Sequence, residues 1–189
     1  MSRRALRIAA AAALFFLPAA AAGAGPEPAV PALRALVRPG EKAPAFRLED
    51  LNGRAIAVRP GDRKPLLIVF FSAFCPLCRE LAPSIAELAA RKGNTLRFVA
   101  VNLDGRRFSN AVRSFTDEYS LRFPVLLDEI RNDMFLAADP YGVDKTPTAV
   151  LVDGRGIVRG AYAAEAMRDM MRDFERIRAA LEKGNGVAK

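Results

Sequence analysis

The chain of 189 residues has no histidine, no tryptophan and only two cysteines, Cys75 and Cys78. Each absence removes a kind of chemistry. Two thiols without an imidazole do not complete the four-ligand set of a structural zinc site, and carboxylates are poor replacements. Covalent haem attachment needs Cys-x-x-Cys-His, whereas Arg79 follows Cys78. A cysteine nucleophile activated by histidine is ruled out in the same way. No cysteine lies in residues 1–24, so a lipid-modified N-terminal cysteine is excluded. The expectation is therefore no metal and no cofactor. The sulfur pair is left with thiol–disulfide exchange, a local structural disulfide, or a peroxide-reactive thiol.

Long apolar runs and one-signed charge blocks are scarce as well. Residues 8–17 form one apolar run, preceded by Arg3, Arg4 and Arg7 and ended by Pro18. A bilayer-spanning helix needs about 20 apolar residues. A basic start, a short apolar run and the small residues that follow read as a signal peptide over residues 1–24, pointing to a periplasmic or other extracytoplasmic location. Cleavage would leave a soluble protein. An uncleaved leader would tether it, the one membrane contact expected. Without the three leader arginines the formal charge falls from +8 to +5. The remaining bases alternate with acids, as in Arg168-Asp169, which is the pattern of a solvated face, so no nucleic-acid partner is expected.

Residues 25–40 hold Pro26, Pro28, Pro31 and Pro39 and read as a linker. The composition, 51% hydrophobic and 26% charged, is that of a globular domain with a real core. That domain is placed at residues 41–183, with a tail at 184–189. Phe46 and Leu48, then Asn52-Gly53, then Ile56 and Val58 predict a hairpin. The unbroken apolar run 66–71 predicts a strand buried on both faces. A helix is predicted over 76–92, with Leu77, Leu81, Ile85 and Leu88 at helical spacing, a stop at Gly93-Asn94 and Pro83 inside. Then come a strand to Leu103 closed by Asp104-Gly105, a helix over 109–119, a strand over 123–127 and a short helix over 132–141. A hairpin around Asp153-Gly154-Arg155-Gly156 follows. The last predicted helix, 165–183, places Met167, Met170, Met171, Phe174, Ile177 and Leu181 on a core-facing stripe. The alternation implies an α/β fold: a central mixed sheet flanked by helices, parallel in the middle, with an extra N-terminal β-hairpin.

Thiol–disulfide exchange needs a thiolate that attacks a disulfide and a second thiol that resolves the mixed intermediate. Cys75-Pro76-Leu77-Cys78 supplies both at the start of a helix. Free backbone N–H groups and the helix dipole favour negative charge on Cys75. Cys78 lies one turn later, within reach of an internal disulfide. Pro76 suits the first turn, where no N–H is needed. Cys75 is thus expected to be the exposed nucleophile and Cys78 the buried resolving thiol.

With Thr146-Pro147-Thr148 ahead of a strand, this arrangement resembles the thioredoxin superfamily over about residues 40–182. Gly40 to Phe46 with Leu51-Asn52-Gly53, Pro83, Tyr141-Gly142-Val143 and Val152-Asp153-Gly154 are similar to its exported TlpA/ResA-like and redoxin branch. The resemblance implies a thioredoxin-like fold with a cis proline at Pro147 beside the dithiol. It implies that the Thr146 backbone pairs with substrate, and that Phe74, Pro76, Thr146 and Pro147 form the substrate groove. It implies reduction of protein disulfides outside the cytoplasm, recharged by an upstream membrane thiol-transfer electron donor. Three positions depart from the pattern. Phe74 stands where Trp is usual, and Leu81 and Val69 stand where the branch and ordinary thioredoxin place a proton-relay acid; Glu80 lies about 100° away around the helix. Two alternatives stay open. A peroxiredoxin-like thiol peroxidase would use Cys75, with Ser72 matching its hydroxyl and Ile68 in place of its proline. A non-enzymatic exported binding module would use Cys75–Cys78 as a structural bond.

Overall fold

A computed structural model describes residues 35–172, so the leader, most of the linker and the end of the last predicted helix lie outside the described residues. The core strand is β3 (Leu66–Phe71), buried along its whole length. Successive side chains of a strand point to opposite faces. Leu66, Ile68 and Phe70 accordingly enter one apolar cluster, and Leu67, Val69 and Phe71 enter clusters on the other face. Each large side chain buried this way contributes about 1.5–3 kcal/mol.

Around β3 the sheet takes the order β2-β1-β5-β4-β3-β8-β9. β4 (Arg97–Asn102) runs parallel to β3, and β5 (Val125–Leu127) parallel to β4. The predicted N-terminal hairpin is β1 (Phe46–Asp50) with β2 (Ala55–Val58), joined to the sheet through β1 and β5. Its turn is built by Asp50, whose carboxylate accepts the N–H groups of Asn52 at 2.8 Å and Arg54 at 2.9 Å. The second hairpin is β8 (Thr148–Val152) with β9 (Val158–Ala163), and β8 is antiparallel to β3.

α1 (Pro76–Lys92) and α4 (Ala166–Arg172) lie on the face of Leu67 and Val69, burying Leu81, Ile85 and Leu88 from the first and Met167 and Met170 from the second. Glu80 and Arg168 clamp the two helices at 2.6 and 2.8 Å. α2 (Ser109–Glu118) adds Val112 and Phe115 to the cluster around Phe71 and Cys78. The opposite face is covered by the hairpin and by α3 (Ala138–Tyr141), whose buried Tyr141 donates its hydroxyl to the Pro44 carbonyl at 2.7 Å.

Two expectations change. The predicted short helix over 132–141 is a helix only at its end. Residues 130–135 form a small hairpin, β6 (Ile130–Arg131) with β7 (Met134–Phe135). Its two-residue loop, Asn132-Asp133, has φ of 51° and 60° at both positions, the signature of a tight hairpin turn that Asn and Asp tolerate. The buried Asp128 carboxylate then accepts the N–H groups of Glu129, Ala137 and Ala138 and fixes where the helix starts. Burial pushes this carboxyl above its ordinary range against those bonds. The second change is that packing begins before residue 41. Val37, assigned to the linker, is buried, and its N–H donates to the Tyr141 carbonyl at 3.0 Å.

Candidate active site

Strand β3 ends at Phe71, and the chain turns once before α1. Four bonds build that turn. The Cys75 N–H donates to the Ser72 carbonyl at 3.2 Å, and the Phe74 N–H to the Ser72 hydroxyl at 3.1 Å. The Arg79 N–H returns to the Cys75 carbonyl at 3.2 Å. The Ala73 N–H donates to the Asp104 carboxylate at 2.8 Å. Asp104 follows β4, and the fully buried Asn102 amide donates to the same Asp104 oxygen at 2.8 Å. An acid just beyond the neighbouring strand therefore ties down the loop that presents the cysteine.

Cys75 is the N-cap of α1. Its sulfur accepts the Cys78 N–H at 3.2 Å, replacing a bond that helix geometry leaves open. Pro76 follows at the first helical position, where no N–H is required. Cys75 is half-buried, and Cys78 is 3% exposed. Burial pushes the Cys78 thiol up to about 12, and its hydrogen bond with Cys75 adds to the shift.

Across the dithiol lies the segment before β8. The Thr146–Pro147 peptide is cis, and the Cys75 thiol donates to the Thr146 carbonyl at 3.5 Å. Pro147 is buried and forms one wall of an apolar cavity of about 20 Å³ behind Cys78, with Val69, Phe71, Ala82, Ile85 and Phe115. Such a space holds about one water but offers no polar partner except the thiol, which favours a dry cavity. Among the described residues no acid lines it: Leu81 and Val69 are buried apolar residues, and Glu80 points to Arg168, whose guanidinium hydrogen bonds hold its carboxyl below the usual range.

All six residues expected at the site thus gather at one end of the sheet: Cys75, Cys78, Phe74 and Pro76 at the β3–α1 junction, Thr146 and Pro147 before β8. Asp104 and Asn102 were not foreseen. Asp104-Gly105 reads in sequence only as a strand stop, and the 31-residue separation from Ala73 carries no local signal. Phe108 was missed too; its ring packs edge-on against Phe74 at 5.3 Å.

A dithiol capping the helix after a central parallel strand, opposed by a cis proline before an antiparallel strand, defines a thioredoxin-like protein. Comparison with known proteins narrows the class. The chain belongs to the Redoxin family, whose description matches residues 38–181. It is similar to the thiol-disulfide oxidoreductase ResA of Halalkalibacterium halodurans, 30% identical over 142 residues that cover 75% of this chain and 77% of the relative. ResA of Bacillus subtilis is 30% identical over 136 residues, covering 71% and 73%. Among solved structures, a secreted Mycobacterium tuberculosis disulfide oxidoreductase homologous to E. coli DsbE shares the fold, with a TM-score of 0.57, 24% identity and coverage of 71% of this chain and 95% of that one.

Proposed function

We propose that this Redoxin-family enzyme is a thiol–disulfide oxidoreductase that reduces protein disulfides outside the cytoplasm, with Cys75 as nucleophile and Cys78 as resolving thiol. The observation that carries the reading is the setting of the Cys75 sulfur. It sits at the helix N-terminus, 3.2 Å from the Cys78 N–H and 3.5 Å from the Thr146 carbonyl.

In the first step the Cys75 thiolate attacks one sulfur of a substrate disulfide. A mixed disulfide forms, and the second substrate sulfur leaves as a thiolate that takes up a proton. In the second step Cys78 loses its proton and attacks the Cys75 sulfur. The Cys75–Cys78 bond forms and the remaining substrate thiolate is released. The substrate gains two electrons and the enzyme loses two. A dithiol donor, in this reading a membrane thiol-transfer protein, must restore them. Phe74, Pro76, Thr146 and Pro147 shape the substrate groove. Export rests on the composition of residues 1–24, which also make the N-terminal anchor if they are retained.

The Cys78→Ser variant tests the assignment. It should accumulate mixed disulfides through Cys75, while Cys75→Ser should accumulate none. Adducts that depend on Cys78 instead would reverse the roles. The direction of flow is read from the reduction potential: a value near that of thioredoxin, about −270 mV, supports a reductase, and one near about −120 mV an oxidant.

A further inference from the structure

A groove of about 420 Å³ opens at the end of the sheet opposite the dithiol. It lies where the three parallel strands begin. Leu66 opens β3, Arg97 opens β4, and Arg122 precedes β5. Val58, the last residue of β2, closes one side. Ala90 and Gly93 close another, at the C-terminal end of α1. Cys75 caps the far end of that 17-residue helix, about 25 Å away. Phe123 alone lines both this groove and the small cavity behind Cys78.

The lining has a simple chemistry. Every described residue in it is apolar or glycine except two, and both are arginines, Arg97 and Arg122. No acid among the described residues lines it. Arg122 is exposed and makes no hydrogen bond or ion pair among the described residues. Arg97 is only partly neutralised. One guanidinium nitrogen donates to the Arg59 carbonyl at 3.1 Å. The Asp62 carboxylate stands 3.5 Å from another, and its side chain is 74% exposed. The Arg97 Nε–H is buried with no acceptor among the described residues, an uncommon state for a buried donor. Positive charge without a matching acid thus collects on a wall that is carbon everywhere else. A groove of this size, mostly apolar with a few polar groups, has the make-up of a small-molecule site.

We infer that this groove binds an amphipathic carboxylate, an unbranched apolar chain that ends in one carboxyl group. The carboxylate lies against Arg122, within the field of Arg97. The chain runs past Phe98 and Leu66 toward the end of α1. Charge sets that orientation, because the last carbonyls of a helix carry partial negative charge and repel an anionic head. A guanidinium fork matches the two oxygens of a carboxylate, and an alcohol offers no such charge. Covering the chain removes apolar surface from water on both sides. The inference goes beyond the reductase reading and does not rest on it. It places a ligand at one end of α1 and the nucleophilic sulfur at the other.

The test titrates octanoate and octanol into the full chain by calorimetry at about pH 8, where the carboxyl is ionised. Octanoate should bind at one site, about tenfold more tightly than octanol, a difference worth about 1.4 kcal/mol. Arg122→Gln, an exposed change, should weaken octanoate about threefold, the scale of one exposed ion pair, and leave octanol unchanged. Ala90→Phe, also at an exposed position, fills the groove from the helix side and should weaken both ligands. The thermal midpoint of each variant without ligand separates a lost site from a lost fold. Phosphatidylglycerol vesicles serve as the lipid-surface alternative. No octanoate binding to the wild-type protein, equal affinity for octanoate and octanol, or an octanoate affinity unchanged in both variants overturns the site. Binding to the vesicles without binding to octanoate assigns the groove to a membrane surface and overturns it as well.

Discussion

Replacing Asp104 with Ala removes the carboxylate that ties β4's exit segment to the cysteine loop. The carboxylate accepts two bonds at one oxygen, from the Ala73 N–H and the Asn102 amide, both at 2.8 Å. Ala73 is 1% exposed and Asn102 is fully buried, so neither donor has easy access to replacement water. A hydrogen bond to a charged group is worth about 1.5–3 kcal/mol, and a stranded buried donor costs about 1–3 kcal/mol. Asp104 itself is half-buried, which lets water recover part of the loss. The expected destabilisation is about 2–4 kcal/mol. It is read as a lower guanidinium midpoint at unchanged slope, because the surface exposed on unfolding is the same. Asp104→Asn places an amide oxygen where both donors can still find it, and should lose less than about 1 kcal/mol. Both variants are compared in the reduced state. A loss below about 1 kcal/mol for Asp104→Ala would refute the tether, and an equal loss for Asp104→Asn would assign the effect to charge alone.

Burial holds the Cys78 proton until about pH 12, against an ordinary thiol value of 9.0. The folded value is the raised one, so this contribution to stability is complete below about pH 9 and is lost as the pH rises toward 12. The urea midpoint of the reduced protein should therefore fall over that range more steeply than that of the oxidised protein, whose Cys78 has no proton to lose; parallel falls would contradict the assignment. Tyr141→Phe keeps the ring against Phe46 and Phe70 but strands the Pro44 carbonyl, and should cost about 1–2 kcal/mol in chemical denaturation. A neutral result would mean that water reaches that carbonyl. Gly156→Ala forces a side chain into φ of +85° with the Pro60 carbonyl oxygen 3.1 Å from the new carbon, and should lower the thermal midpoint, whereas an unchanged midpoint would show that the turn gives way freely.

Much of the fold is legible in the sequence because its signals are local. The 66–71 run is long, apolar and flanked by turn residues, so a doubly buried strand follows directly. The dithiol, Pro76 and the Leu81, Ile85 and Leu88 spacing fix both ends of α1's first turns. The 130–135 hairpin was hidden because Asn132-Asp133 is a weaker turn signal than Asn-Gly and the strands have only two residues each. Val37 looked like linker because its neighbours are proline-rich, and only contact with Tyr141 makes it core.

The sequence by itself determined the reactive groups: two sulfurs three residues apart, at a helix start, with no histidine to divert them. The tertiary structure decided what surrounds them. It set Thr146 within 3.5 Å of Cys75 across 71 residues, and Asp104 on the cysteine loop across 31. It also set the buried sulfur against an apolar cavity that no acid among the described residues lines. These pairings depend on which strands lie side by side, and the order β5-β4-β3-β8 comes from packing two faces of one sheet at once, which no short stretch of residues encodes.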